Sequence, residues 1–125
     1  MYSEKVYERA INLYELEQEN ARPGLQRSAY ATDDVMLVMN VLAKGMQLRP
    51  HVHEDFDQLA MIVRGEADYY IEDTPHRMTA GSLLLVPAGK YHHIQPVSDE
   101  VHNLDLFFPP RADYAHMLAY LEDLA

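Results

Sequence analysis

Turn-forming residues interrupt this chain about every ten residues from Gly45 onwards, which is the spacing of short strands in an all-β domain. Glycine, proline, aspartate and serine favour turns because their backbones or short polar side chains suit tight reversals of direction. The segments between them are short and apolar, which is typical of a β-sandwich or barrel. The turn signals are Gly45, Gly65, Asp73-Thr74-Pro75, Gly81, Pro87-Ala88-Gly89 and Ser98-Asp99.

The predicted strands lie between two predicted helices in a chain of 125 residues, a length that suits one domain. Residues 3–20 carry apolar side chains at helical spacing and end before Pro23-Gly24, and a second amphipathic pattern begins at Asp113 and runs to about residue 124. The barrel is expected over about residues 26–108. Its predicted strands are 26–32, 35–44, 48–53, 57–64, 66–73, 82–86, 91–97 and 100–108.

Composition excludes several classes of function. The chain has no cysteine, so disulfides, thiolate metal ligands and cysteine nucleophiles are ruled out. A net charge of −10 opposes binding to nucleic acids and to anionic membranes. The first residues contain no apolar signal-peptide core, and no apolar run approaches the length of a membrane span. We therefore expect a cytoplasmic protein without nucleic-acid or membrane partners.

Four residues are candidate metal ligands. His51 and His53 are two positions apart, which places both imidazoles on one face of a strand, and Gln58 opens the next predicted strand. His92 comes from a later strand, and neutral imidazole binds zinc, iron and nickel well. His93 should point to the opposite face and is not expected to bind the metal. Three further histidines show no ligand spacing: His76, His102 and His116.

The spacing of these residues resembles the two motifs of the cupin superfamily, G-x5-H-x-H-x3-4-E-x6-G and G-x5-P-x-G-x2-H-x3-N. Gln58 stands where the first motif has glutamate, and Pro96 where the second has asparagine. The resemblance implies a small cupin barrel (a double-stranded β-helix, or jelly roll) that holds one divalent ion of nickel, zinc, iron or manganese. The implied ligands are His51, His53, Gln58 and His92. A neutral amide in place of a carboxylate leaves the ion's charge uncompensated, which favours Lewis-acid chemistry and anionic ligands.

The last predicted strand places polar residues on one face. Asn103, Asp105 and Phe107 alternate with three apolar residues, so they should face the cavity if the apolar set packs under the N-terminal helix. From Asp105 to Tyr114 the chain matches the pattern D-x-F-x-P-P-R-x-D-Y and resembles the pectin-degradation cupins of the KdgF type. That resemblance implies an isomerase-type enzyme that opens and ketonises 4,5-unsaturated uronates. The implied substrate is a small anionic sugar acid, and the implied catalytic residues are Asp105, Phe107 and Arg111.

Alternative roles exist for the catalytic candidates. Asp105 and Arg111 are also explained by a structural ion pair with no part in catalysis. Arg111 is also explained as a surface residue after the Pro-Pro turn. The directions of Tyr69, Tyr70, Arg64 and Lys90 stay open at this level.

Three functions remain open from the sequence. The first is the uronate-ketonising enzyme, the second an iron or manganese dioxygenase on the same fold, and the third a non-catalytic sugar-acid-binding cupin. A homodimer that pairs through a sheet face is expected. The apolar strand from Val35 to Ala43 is one candidate for that face, although a core position suits it better.

Overall fold

The computed structural model describes residues 1–124, and within that range the chain forms nine strands and two helices. The elements in chain order are α1 (Tyr2–Val6), β1 (Glu19–Arg22), β2 (Leu25–Ala31), β3 (Met36–Ala43), β4 (Asp57–Arg64), β5 (Glu66–Ile71), β6 (Thr74–Thr79), β7 (Leu83–Val86), β8 (His92–Pro96), β9 (Glu100–Phe108) and a C-terminal 3₁₀ helix (Ala112–Asp123).

The strands form two antiparallel sheets. One has six strands in the order β1-β2-β3-β9-β4-β7, and the other has three in the order β6-β5-β8. The prediction of an all-β jelly-roll fold with a helix at each end is confirmed. The sheets are not joined into one closed hydrogen-bonded barrel within residues 1–124.

The core is formed by the alternate residues that each strand directs inwards. Along β4, Gln58, Ala60 and Ile62 are buried, and along β9 Val101, Asn103, Asp105 and Phe107 are buried. One apolar cluster joins the two sheets. A second cluster packs both helices against β2, β3 and β9, and its buried members are Val6, Ala29, Ala31, Met36, Val38, Phe107, Leu118 and Leu121.

The predicted N-terminal helix over residues 3–20 is wrong in its extent, because α1 ends at Val6. Glu8 has a positive φ of 57°, which a helix cannot continue through. Tertiary contacts then hold the chain in irregular structure: the Ser28 hydroxyl donates to the Leu13 carbonyl at 2.6 Å. Residues 19–22 pair with β2 as strand β1, so local helical spacing was overridden by sheet pairing.

One strand prediction was also wrong, and another strand was predicted two residues too long. Residues 48–53 form no strand, and only His51 makes an isolated bridge there. The predicted strand 66–73 ends at Ile71, and a further strand, β6, begins at Thr74. The turn is made by Glu72, with φ 53°, together with Asp73, so Pro75 lies within an edge strand, where its missing N–H is tolerated.

The C-terminal helix forms close to its predicted bounds, but as a 3₁₀ helix. Three residues per turn place Leu118 and Leu121 on one line, and both are buried against the sheet. Among residues 1–124, no helix is long and apolar enough to cross a membrane.

Gly65 and Gly81 offer a matched test of the β4–β5 turn. Both have positive φ (88° and 94°), so alanine at either position costs about 1–2 kcal/mol of backbone strain. A Cβ at Gly65 would also overlap the Glu100 carbonyl oxygen, whereas one at Gly81 meets nothing within 4 Å. We expect Gly65→Ala to lose about 1–3 kcal/mol more unfolding free energy than Gly81→Ala in urea titrations. Equal losses would show that the turn relaxes freely.

Candidate metal centre

Two backbone hydrogen bonds bring the two histidine-bearing segments together. The His51 N–H donates to the His92 carbonyl at 3.1 Å, and the His92 N–H donates to the His51 carbonyl at 2.9 Å. Next to this bridge, the Gly89 N–H donates to the His53 carbonyl at 2.8 Å. Segments about 40 residues apart in sequence therefore meet at one point, as expected for alternate residues of paired strands.

The three predicted histidine ligands converge. Ligand atoms of His51, His53 and His92 all lie within 4.8 Å of one another. The Nδ1 atoms of His51 and His92 each meet a backbone carbonyl, of Arg49 at 2.8 Å and of Lys90 at 2.9 Å. This arrangement leaves the Nε2 lone pair of each ring available for a metal, as is usual in histidine sites.

An unsatisfied buried atom supports metal binding at this position. His92 is 1% exposed, and its Nε2 has no hydrogen-bond partner among residues 1–124. The Nδ1 atom of His53 is buried and unpartnered in the same way. A buried polar atom without a partner costs free energy, and a bound cation would remove that cost. The residues present therefore fit a divalent metal.

Gln58 completes the predicted ligand set. Its side chain is buried, and its Oε1 lies 2.9 Å from the Nε2 atom of His53. Its Nε2 donates to the hydroxyl of Tyr69 at 2.9 Å, which fixes the amide with its oxygen towards the histidines. The direction of Tyr69, left open by the sequence, is thus inwards from β5, and its role is to orient Gln58.

The electrostatic surroundings keep the imidazoles neutral. Burial, followed by the charges of Arg111 and His51, lowers the pKa of His53 to about 4. Burial also lowers the pKa of His92 to about 4 and lowers the pKa of His51. All three rings are therefore in the metal-binding form at neutral pH. Since Gln58 is neutral as well, this ligand set would leave both positive charges of a divalent ion uncompensated.

Asp105 lies on the inner face of β9, in the same cavity. It is 9% exposed, and it accepts hydrogen bonds from Asn40 at 3.0 Å and Asn103 at 2.9 Å. Burial raises the pKa of Asp105 to about 6, against the opposing effect of hydrogen bonds from Asn103 and Gln58. The carboxyl group can therefore take up or release a proton near neutral pH. Asn40 was not predicted as a site residue, although a polar residue inside the apolar run 35–44 was the available signal.

Arg111 is enclosed by aromatic rings. Its guanidinium lies 3.7 Å from the ring centroid of Tyr114, 4.8 Å from that of Phe107 and 4.9 Å from that of Phe56. It donates to the carboxylate of Asp113 through Nε at 3.0 Å and Nη2 at 2.7 Å.

Both alternative roles considered for Arg111 are wrong. Its side chain is only 10% exposed, so it is not an ordinary surface residue. Its carboxylate partner is Asp113 and not Asp105, whose hydrogen-bond donors are side-chain amides.

The remaining residues named from the sequence lie outside the histidine group. His93 stacks on Tyr70 with ring centroids 4.6 Å apart, and Lys90 and Arg64 are exposed. Three other histidines bond elsewhere: His76 with the Tyr69 carbonyl, His102 with Tyr14 and Glu100, and His116 with Glu19.

Two connected cavities lead to the centre. An outer cavity of about 860 Å³ opens over His51 and His53, and an inner one of about 80 Å³ contains Gln58 and Asp105. Six residues line both cavities: Arg22, Arg27, Arg49, His51, Arg111 and Tyr114. The sequence reasoning missed three of these arginines. Only Arg49, two positions before His51, carried a usable signal, because that spacing places both residues on one side of an extended segment.

A family model described as the cupin domain matches residues 37–107, which is more than half of the chain. The chain belongs to the cupin family. The matched range contains all four predicted metal ligands and ends at Phe107, so the family assignment covers the centre described above.

Individual relatives agree with the narrower resemblance. The chain is 28% identical over 97 residues to the pectin degradation protein KdgF of Dickeya dadantii (strain 3937), covering 77% of this chain and 88% of that protein. The structure of KdgF from Halomonas sp. superposes with a TM-score of 0.76 at 28% identity, covering 84% of this chain and 98% of that one. An RmlC-like cupin from Shewanella frigidimarina gives a TM-score of 0.76 at 25% identity, covering 86% of this chain and 96% of that one.

A relative of another kind also matches. The chain is 32% identical over 82 residues to the HTH-type transcriptional activator RhaR of Pectobacterium carotovorum, covering 66% of this chain and 28% of that protein. The cupin-like part therefore occurs within a longer regulatory protein as well as in short chains such as KdgF.

Removing one imidazole tests the metal centre. We expect the purified wild type to bind about one divalent ion per chain and His92→Ala to bind it more than about 100-fold more weakly, because a direct ligand is lost. His76→Ala is the control, since His76 bonds the Tyr69 carbonyl and is not part of the group of three histidines. Metal content by mass spectrometry and the rise in melting temperature on metal addition provide the measurements. Equal metal content in the two variants would exclude this site.

Proposed function

We propose that this chain is a metal-dependent cupin enzyme that opens and ketonises 4,5-unsaturated uronates to linear keto sugar acids. The observation that carries the proposal is the buried Asp105, held by two amides in the inner cavity that also contains Gln58. A carboxyl group with a pKa of about 6 beside a candidate metal site is suited to proton transfer. The similarity to KdgF supports pectin-derived uronates as the substrate class.

The reaction is an isomerisation that needs no other reactant. The substrate is a cyclic enol ether with a hemiacetal at C1 and a carboxylate conjugated to the C4–C5 double bond. Cleavage of the bond between C1 and the ring oxygen gives an aldehyde and an enol, with one proton moved from the C1 hydroxyl to the ring oxygen. Ketonisation then moves a proton from the enol oxygen to C4. Every atom of the substrate is retained in the product.

Asp105 is the proposed proton carrier. With its pKa near 6, it exchanges protons at neutral pH, and Asn40 and Asn103 hold its two oxygens in fixed positions. Phe107, which is 2% exposed, bounds the inner cavity and limits the entry of water. The charge of Arg111 contributes to the lowered pKa of His53, so it acts at the histidine group, where it would favour the anionic enolate that forms as the ring opens.

A divalent ion held by His51, His53, Gln58 and His92 would supply Lewis-acid polarisation of a substrate oxygen. We propose that this ion is nickel, zinc, iron or manganese. We also propose that the protein is located in the cytoplasm. Three neutral imidazoles and a neutral amide make the centre attractive to an anionic substrate, which agrees with a sugar acid.

Asparagine at position 105 tests the proton-carrier role. Asp105→Asn keeps the shape of the side chain but removes the ionisable group, so we expect kcat to fall by about 100-fold or more. The measurement is the loss of ene-acid absorbance of 4,5-unsaturated galacturonate, corrected for spontaneous opening. Asp68→Asn is the control, because Asp68 pairs with Arg77 at the surface of the smaller sheet. A wild-type rate equal to the spontaneous rate would reject the proposed reaction.

A second candidate function is sugar-acid binding without turnover. The match to RhaR, which is named as a transcriptional activator, supports it. Tight binding of a uronate by the metal-loaded wild type, with no acceleration of ring opening, would favour this candidate over the enzyme.

We further propose that two copies of the chain pair through the outer face of the six-stranded sheet. Residues 10–15 lie over Met39 and reach His102 near the start of β9, whereas exposed apolar side chains of β4 and β7 and Phe108 at the end of β9 lie beyond this segment. The outward side chains of β4, β7 and β9 form an apolar outer face, and Leu83 and Leu85 are 59% and 57% exposed. Its members are Leu59, Met61, Val63, Leu83, Leu85, Leu104, Leu106 and Phe108.

The size and charge of the apolar outer face favour a second copy. Strands β4, β7 and β9 together cover roughly 400 Å² in projection, given a spacing of about 4.8 Å between strands and a rise of about 3.4 Å per residue along each strand. A patch of that size suits the apolar centre of a standard interface of about 800 Å² per partner. A twofold dimer needs only one such face on each chain, and its lack of charge avoids the repulsion between two chains of net charge −10.

Leu85→Asp tests the dimer. Leu85 pairs with Leu59, which in turn pairs with Leu106, so the substitution places charge within the apolar outer face. We expect light scattering to give twice the chain mass of 14.4 kDa for the wild type and the monomer mass for the variant. Tyr7→Asp, at an exposed aromatic residue outside the apolar outer face, should remain dimeric. A monomeric wild type would contradict the proposal.

A further inference from the structure

Four arginines line both cavities, although the chain carries 20 acidic and only 10 basic residues. These are Arg22 in β1, Arg27 in β2, Arg49 before the first histidine, and Arg111. Like charges gathered in one cavity repel, so the arrangement is stable only if anionic groups offset them. The carboxylates that pair with each arginine therefore show which guanidinium charges are already compensated by the chain itself.

Two of the four are paired with carboxylates of the chain. Arg27 donates to the carboxylate of Glu19 at 2.6 Å and to the hydroxyl of Tyr114 at 3.0 Å. Arg111 donates twice to Asp113, in the bidentate geometry that makes strong pairs. Both guanidinium groups also lie over the ring of Tyr114. These two arginines are thus fixed by their own neighbours.

Arg22 and Arg49 have no such partner. Neither forms an ion pair with a carboxylate of residues 1–124, even though Glu54 and Asp55 line the same outer cavity. Within residues 1–124 the Arg22 side chain donates from Nε to the Gln47 carbonyl at 3.3 Å, and its two terminal nitrogens have no hydrogen-bond partner in that range. Both side chains line the outer and the inner cavity, as His51 does.

Electrostatic effects agree with this position. Burial lowers the pKa of Arg22, and the charges of Arg49 and Arg27 lower it further. The charges of Arg49 and Arg22 also contribute to the lowered pKa of His51, after burial and Arg111. Both guanidinium groups are therefore close enough to the histidine group to act on a ligand bound there.

We propose that Arg22 and Arg49 form the anchor for the carboxylate of the uronate, and that Arg111 does not. Two unpaired guanidinium forks beside the histidine group are matched to a planar carboxylate, which each can bind through two N–H groups. The inference rests on the proposed function, because it takes a uronate as the ligand. It separates the group that selects the acid, Arg22 with Arg49, from the group that acts at the reacting oxygen, Arg111 with Asp105.

Binding of two saturated sugars tests the anchor without any turnover. D-Galacturonate and D-galactose differ by the carboxylate, and neither has the double bond that ketonisation needs. Calorimetry on metal-loaded protein should show that the wild type prefers galacturonate and that Arg22→Gln and Arg49→Gln each reduce this preference about tenfold. The double variant should lose it. Arg64→Gln, at an exposed arginine that lines neither cavity, should keep it.

Metal content is measured for every variant, because the Arg49 carbonyl accepts a hydrogen bond from Nδ1 of His51 next to the metal site. Substitution of the Arg49 side chain leaves this carbonyl in place. Equal binding of the two sugars by the wild type, or binding of neither, would overturn the inference. Loss of the preference in Arg111→Gln with retention in the Arg22/Arg49 double variant would overturn it too. A protein that prefers galacturonate through Arg22 and Arg49 but does not speed ring opening would keep this anchor and lose the proposed reaction.

Kinetics on 4,5-unsaturated galacturonate give an independent readout. An anchor for a group that does not react should affect substrate binding, so Arg22→Gln and Arg49→Gln should raise KM about tenfold and leave kcat within about threefold. Arg111→Gln should mainly lower kcat. A fall in kcat without a change in KM in the Arg22 and Arg49 variants would contradict the anchor role.

Discussion

The reciprocal backbone pairing of His51 with His92 is the constraint on which the candidate site depends. The bridge is isolated: His92 begins strand β8, but His51 lies in a loop. The positions of His51 and His53 are therefore not fixed by an extended ladder of strand hydrogen bonds. The Gly89 N–H adds a third hydrogen bond next to it, to the carbonyl of His53. Because imidazole positions must be held within a fraction of an ångström for metal binding, the precision of the centre depends on these few contacts.

Strand alternation explains why much of this arrangement could be predicted from the sequence. Gln58 lies on the buried face of β4, and Asp105 and Phe107 lie on the buried face of β9. Because side chains of a strand alternate between its two faces, knowing which face is buried determines the direction of every residue. Motif spacing predicted the meeting of the three histidines. By contrast, residues 3–20 have helical spacing, yet α1 ends at Val6 and residues 19–22 pair with β2, because tertiary contacts outweigh local helical preference.

The sequence could not predict which charged side chains pair with one another. The alternative of an Asp105–Arg111 ion pair was reasonable from proximity in sequence, but Arg111 follows a Pro-Pro turn that directs it towards Asp113. Asp105 is instead satisfied by two neutral amides, one of them from β3, 65 residues away. Arg22 and Arg49 likewise come from unrelated segments, and no local pattern marks them as neighbours. Such contacts depend on tertiary packing alone.

The distribution of charge links the fold to its chemistry. A chain with net charge −10 would repel an acidic sugar at long range, and screening limits that repulsion to about 8–10 Å at physiological ionic strength. Inside that distance the charges at the cavity matter more than the net charge, and Arg22 and Arg49 form no ion pair there with a carboxylate of residues 1–124. Since the candidate ligands His51, His53, Gln58 and His92 are all neutral, a bound dication would add its positive charge there without being offset. The proposed selection of an anionic ligand would therefore depend on the cavity rather than on the surface.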